Sequence, residues 1–477
     1  MQEPVLDTLH KAQSINRDHM QYGAFAEIGA GQEVARWFFQ AGGAAGTVAK
    51  SMSAYDMAVS DAIYGTAKRY VSEERLVHML EHEFGLLHQR LEAERGAKTR
   101  FFAYANTVAA RSYSRPVDGM GWMGIRFQTR PQGPPNDIVL HVRLLDSTNL
   151  LQQEAVGIVG VNLLYGAMHH FENPDALVES LVDGVGRERV EVDMLRFEGP
   201  DFAGVDNRLM SLKLVEAGLA QAAMFDDHGR VAHAADALYH RPILLERGSF
   251  RPVTLTTLHL LQSSLAEFSA EPGVAALAAQ SAPVQVLFEM TLKNLTDNGS
   301  IDHRDFLDRV DLLGAAEREL GHDAKIVVSN FGELHRLAGW LFRSTKEPVG
   351  LALGVSKLRD LFDPKHYTGL EGGILEASGR LFRNNLKLYV YPQRLNPGGP
   401  VLTARAFRPE GLLAHFYEYL LHTGSIVDLR DVRPEYLDIH ARDVLVRIRA
   451  GDPAWAGMVP APVAALIRQR RLLGAAA

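Results

Sequence analysis

The sequence predicts an α/β protein: a parallel (β/α)8-type barrel with an N-terminal α+β domain before it and a C-terminal helical extension after it. Three observations carry this expectation. Short apolar runs ending in polar residues recur through the middle of the chain, as in HVRLLDSTN (141–149), PILLERGSF (242–250), VLFEMTLKN (286–294) and KIVVSNF (325–331). Each is followed by a segment with helical spacing, and buried strands alternating with helices imply a parallel sheet. About eight such strands over ~250 residues is the size of a barrel, with an open doubly wound sheet as the competing arrangement of the same elements.

The first 136 residues do not alternate in this way. Gln32–Gln40 and Ser72–Arg95 read as helices, the second with Leu76, Leu80, Phe84, Leu87 and Leu91 three or four residues apart. Residues 98–113 and 121–130 read as strands joined by the turn-rich PVDGMG, and PQGPP (131–135) reads as a linker because neither helix nor central strand tolerates that density of proline. The barrel is expected over residues 137–395. Its strands are 138–145, 190–197, 221–225, 242–246, 284–290, 325–329, 348–353 and 386–391, with helices between them. A second breaker-rich stretch, QRLNPGGP, opens the extension 396–477, in which a helix at 409–422, a strand at 425–429 and a terminal helix at 462–473 are expected.

Composition narrows the function classes. The 477 residues are 47% hydrophobic, with 22% charged residues and a net charge of -7, which gives neither a nucleic-acid footprint nor a basic membrane-surface patch. The chain has no cysteine, excluding disulfides, thiolate nucleophiles and Cys-based metal sites. MQEPVLDTLHKAQ lacks the basic and apolar regions of a secretory signal, and no apolar run approaches the ~20 residues of a bilayer span, so a cytoplasmic protein is expected.

In a parallel barrel all strand carboxyl ends face one mouth. That places Asp146, Ser147 and Asn149 with Asp193 and Arg196, Glu246, Arg247 and Ser249, Glu289, Thr291 and Lys293, and Ser329 and Asn330. Crowded carboxylates raise one another's pKa and become general acids or bases, while arginine grips anions bidentately. Asp146, Glu246 and Glu289 are therefore the candidate catalytic groups, also suited to hold a divalent metal. Arg247, Arg251, Lys293 and Arg380 are candidate anion contacts, and Asn149, Ser329 and Asn330 orienting groups. Gly372 and Gly373 at a helix start make a candidate phosphate seat. The same charges paired with one another would instead close the barrel rim.

Other motifs read more plainly. Gly29-Ala30-Gly31 lies between a strand and a helix, but Val34 stands where a dinucleotide fingerprint needs a third small residue, so a tight turn is expected. Lys50, Ser51, Ser53, Tyr55, Asp56, Ser60 and Asp61 cluster beyond it and suit a capped helix that lends polar groups to a site. His78 and His82 have i, i+4 spacing but fall on the charged face of a helix. NLTDNGSIDHRDF (294–306) is similar to a calcium loop, yet a glycine turn followed by an Asp302 N-cap explains the same letters.

IGAGQEVARWFFQAGGAAGTVAKSMSAYDMAVSDAIYG, LLDSTNLLQQEAVGI, FAGVDNRLMSLKLV, ERGSFRPVT and LEGGILEASGRLF together resemble a bacterial family of about this length. Its members carry the label nicotinate-nucleotide adenylyltransferase and sometimes TonB-dependent receptor. The resemblance implies a transferase acting on a nucleotide or phosphorylated small molecule. The HxGH signature of such adenylyltransferases is absent, since His169-His170 and Gly321-His322 lack its spacing. A barrel behind an α+β domain is similar to type II phosphoribosyltransferases. A homo-oligomer is expected either way, and the alternative function is a non-catalytic, homo-oligomeric interaction protein.

Overall fold

A computed structural model describes residues 6–111, 118–394 and 398–475. Parts of three expected features fall outside these residues: the end of the strand 98–113, the start of PVDGMG and the middle of QRLNPGGP. The chain divides into two compact units, Met1–Ala223 and Met224–Ala477.

The first unit holds a six-stranded sheet: β1 (Gln21–Gly29), β2 (Val48–Met52), β3 (Arg100–Ala109), β4 (Gly119–Gln128), β5 (Pro135–Leu144) and β6 (Val190–Glu198), in the order β2-β1-β3-β4-β5-β6. β2, β1 and β3 are parallel, and β3 to β6 form an antiparallel meander. Strand alternation gives the sheet two apolar faces. Phe25, Phe102, Tyr104 and Val108 join the main core with helices α1 (Thr8–Arg17) and α2 (Val34–Ala41), while Phe101 and Ala103 meet Phe84 on the other side. Helix α3 (Met57–Tyr64) precedes α4 (Glu73–Leu91), which covers that second face. Ser72 caps α4 by accepting from the Arg75 amide at 3.2 Å, and Leu76, Met79, Leu80, Phe84 and Leu87 form its buried stripe.

Helix α5 (Asn149–His169) is buried along most of its length, followed by α6 (Pro174–Ser180) and α7 (Asn207–Glu216). It approaches α2 and the sheet at Gly160, where a Cβ would lie 2.3 Å from Val34 Cγ2 and 2.6 Å from the Tyr104 hydroxyl. Buried Lys11 joins α1 to α5, donating to Asn162 Oδ1 at 2.9 Å and to Asp183 Oδ2 at 2.7 Å.

The second unit is built on β7 (Ala222–Phe225), β8 (Val231–Ala232), β9 (Ile243–Arg247) and β10 (Gln285–Thr291). After a small ribbon of β11 (Thr296–Asp297) and β12 (Ser300–Ile301) come β13 (Ala324–Ser329), β14 (Val349–Gly354) and β15 (Lys387–Tyr391). β16 (Gln393–Arg394) and β17 (Val401–Leu402) form a second ribbon before β18 (Ile426–Asp428). The main sheet has the order β18-β15-β14-β9-β10-β13-β7-β8. Every neighbouring pair from β18 to β13 is parallel, and β8 turns back antiparallel on β7. Their continuous apolar runs are those of strands buried on both faces, all seven residues of β10 being buried.

This corrects the barrel expectation. Both sheets are open, and the strands at 138–145 and 190–197 are β5 and β6 of the antiparallel meander rather than staves of a barrel. The reason is local: a parallel connection needs a dozen or more residues, whereas β4 passes to β5 through residues 129–134 alone, so PQGPP closes a hairpin. The open doubly wound alternative describes the second unit. From β13 to β18 its strand order is that of doubly wound nucleotide-binding sheets, with β7 added outside β13. No helix among the described residues is long and apolar enough to cross a membrane.

Candidate functional site

In open sheets with parallel strands, ligands settle outside the carboxyl ends where the connections from neighbouring strands diverge. In the first unit that point lies between β1 and β3, because β1 leads through α2 to β2 on one side while β3 lies on the other. A cavity of about 420 Å³ opens there, within the roughly 300–1,000 Å³ range of small-molecule sites. Its walls are the end of β1 (Gly29, Ala30), the start of α2 (Gln32, Glu33), the end of β3 (Val108, Ala109, Ala110), Tyr55, and Asn149 with Gln153 on α5.

Each wall is held from behind. Gly29 adopts φ +74° directly opposite Val108, and the Ala30 amide donates to the Val108 carbonyl at 2.9 Å. Glu27 reaches under the turn and accepts from the α2 amides of Val34 at 2.9 Å and Ala35 at 3.3 Å, serving as the helix cap that Glu33 does not supply. Asn106 Nδ2 donates to the Gly31 carbonyl at 3.0 Å. On α5, Thr148 caps the first turn, and Arg189 bonds the Asp146 carboxylate at 2.9 Å and the Leu151 carbonyl at 2.9 Å. Asp146 is thereby engaged in fixing the helix start that presents Asn149.

The lining is polar and uncharged apart from Glu33, which pairs with exposed Arg36. The amides of Gln32, Asn149 and Gln153 each offer a donor and an acceptor, and the Tyr55 ring, 80% exposed, offers a flat stacking surface. Among the described residues no lysine, arginine or histidine lines the cavity. Such a wall suits a planar heterocycle with hydrogen-bonding edges better than a naked phosphate.

Burial pushes the Glu27 carboxyl up to about 7 from 4.5, against the lowering effect of the bonds from Val34, Ala35 and Asn106. Protonation in the folded state therefore adds stability that is complete below pH 4.5 and lost as pH rises to about 7. The shift corresponds to roughly 3 kcal/mol. Urea unfolding at pH 4.5 and pH 8 is expected to show Glu27→Gln becoming more favourable relative to the unsubstituted protein at the higher pH; an unchanged difference would contradict a buried, shifted carboxyl.

Ser147, Asp193 and Arg196 also lie in the first unit, the last two on β6, which is not part of the second unit's sheet. The other candidates belong to the second unit, where adjacent parallel strands bring three of them together. Arg247 grips Glu289 through Nε at 2.7 Å and Nη2 at 2.9 Å, and Ser329 donates to the same carboxylate at 2.6 Å. Arg247 and Glu289 stand opposite each other in register, and the Glu289 side chain is fully buried. Glu246 lies on β9 between Phe288 and Ala352, at the point where β9 and β14 diverge. One of its oxygens has no partner among the described residues, and burial raises its pKa well above the usual carboxylate value.

Arg251 pairs with Asp297 at 3.1 Å and Asp305 at 2.7 Å, and buried Arg309 joins Asp305 to the carbonyls of Ser249 and Asn294. The calcium-like stretch is thus a short ribbon followed by a helix that Asp302 caps, its acids paired with arginines. Lys293 and Asn330 are exposed. At the expected phosphate seat the Gly372 amide donates to Glu376 at 2.9 Å. Arg380 pairs with that same side chain at 2.5 Å, and Gly373 has φ +52°. His78 and His82 are exposed on α4.

Sequence reasoning singled out Asn149, the Gly29-Ala30 turn and the Tyr55 stretch. It missed Gln32, Glu33 and Gln153, since isolated polar side chains at helix starts carry no motif. Their only signal was position beside the Gly-Ala-Gly turn and the strand end at 145.

No protein-family model matches the chain, and no curated protein does. Solved structures similar to about a third of it are competence/damage-inducible proteins. The CihA protein of Agrobacterium tumefaciens is 18% identical over 34% of this chain and 97% of its own, with a TM-score of 0.25. CinA superfamily proteins of Enterobacter cloacae (12% identity, 35% and 95% coverage) and Klebsiella pneumoniae 700603 (13%, 35% and 99%) each give a TM-score of 0.26.

Proposed function

We propose that the protein is a nucleotide-handling enzyme whose first unit binds the base and sugar of a nucleotide-type small molecule in the cavity between β1 and β3. The observation that carries this reading is a cavity at the divergence of parallel strands whose wall joins one exposed aromatic ring to three side-chain amides. Tyr55 stacks on the base in this reading, Gln32, Asn149 and Gln153 read its polar edge, and Glu33 accepts from the sugar hydroxyls or an exocyclic amine. A transferase reaction on that ligand is the finer form of the proposal. In the second unit the mutual pairing of Arg247, Glu289 and Ser329 supports a structural role for those strand-end groups.

The test is calorimetric titration of the full chain with mononucleotides bearing purine, pyrimidine and pyridine bases. Saturable binding of at least one class is expected. Tyr55→Ala should weaken it about tenfold or more, since stacking a base on an aromatic side chain contributes ~1–3 kcal/mol. Absence of binding across the panel, or equal affinity in the Tyr55 variant, would overturn the assignment.

A further inference from the structure

A second cavity, of about 320 Å³, lies against the other face of the first sheet, under α4. Tyr22, Leu86, Leu87 and Leu91 form its apolar wall, and the small side chains of Ala24 and Ala49 leave it room on the sheet. Its polar lining is Lys50 with Glu83 and, two helical turns further along α4, Arg90.

The charges there do not cancel. Glu83 has no exposed side-chain surface. It forms an ion pair with Lys50 and accepts a hydrogen bond from the Tyr64 hydroxyl at 2.7 Å, so its negative charge is already compensated. An ammonium has three donors, and this pairing leaves the others for a second acceptor. Arg90 is exposed and has no carboxylate partner among the described residues. A further cation borders the apolar wall: the Arg95 guanidinium lies 3.9 Å from the centre of the Tyr22 ring. It is brought there by Glu92–Gly96, a π-helical turn directly after α4, a distortion that gathers at functional sites. Aliphatic walls bordered by surplus positive charge match a molecule that is apolar along its length and anionic at one end.

We propose that this cavity binds an amphipathic carboxylate, its aliphatic body between the α4 leucines and Tyr22 and its head group on the Arg90 guanidinium. The site is separate from the nucleotide cavity and does not depend on that assignment. Decanoate is the probe, titrated calorimetrically into the full chain, with acetate as the head group alone and decyltrimethylammonium as the cationic twin. The expected result is one-to-one saturable binding of decanoate, no detectable binding of acetate, and at least tenfold weaker binding of the cation. Arg90→Glu, at an exposed position, should weaken decanoate tenfold or more with the melting temperature unchanged, and Leu86→Trp should fill the groove and abolish binding. Failure of decanoate to saturate one site, equal binding of its cationic twin, or unchanged affinity in Arg90→Glu would each overturn the proposal.

Discussion

Glu289→Ala is expected to lower the stability of the second unit by ~3–5 kcal/mol, the range for removing one partner of a buried ion pair. Glu289 accepts two bonds from Arg247 and one from Ser329 with no water-exposed surface on its side chain. Its loss strands a guanidinium that is only 14% exposed and leaves the Ser329 hydroxyl without its acceptor. The double variant Arg247→Met with Glu289→Met should recover much of the loss, because replacing both charges by apolar groups removes the stranded cation as well. Urea unfolding followed by tryptophan fluorescence measures both. A cost below about 1 kcal/mol for the single variant would mean that the pair behaves as an exposed salt bridge.

Gly29→Val is the second large effect, and it bears on the cavity directly. The residue holds φ +74°, a conformation that costs a β-branched side chain on the order of 1–3 kcal/mol. Its Cβ would also lie 2.2 Å from the Val108 carbonyl oxygen, a backbone atom that cannot yield without pulling β3 out of register with β1. A total loss of about 3 kcal/mol or more is expected, together with loss of nucleotide binding, because Gly29 and Val108 are both cavity walls. Chemical denaturation and the same calorimetric titration read the two consequences, and a Gly29→Val protein of unchanged stability would refute the close approach.

Much of the architecture was legible in the letters. The runs at 242–246, 284–290, 325–329, 348–353 and 386–391 are β9, β10, β13, β14 and β15 to within two residues at each end, because strands buried on both faces leave a continuous apolar signature. Strand direction was not legible from such runs alone. Residues 138–145 look like any other apolar run, and only the short link from β4 reveals that β5 turns back. Of the strand-end groups expected at one mouth, Arg247, Glu289 and Ser329 meet, whereas Asp146, Asn149, Asp193 and Arg196 belong to the first unit; Arg247 and Glu289 close on each other because register sets them side by side. In the first unit a glycine turn and one asparagine were visible, whereas the glutamines beside them became site residues only through the convergence of β1, β3 and α5.

The change from parallel to antiparallel strands at β3 has a practical corollary. Phe127 near the end of β4 stands opposite Phe102 near the start of β3, so the hairpin 129–134 lies at the end of the sheet remote from the cavity. A fluorophore or surface tether attached there would report on or immobilise the protein while leaving the ligand entrance free. Because the chain has no cysteine, a single Gln132→Cys substitution provides that attachment point without competing thiols.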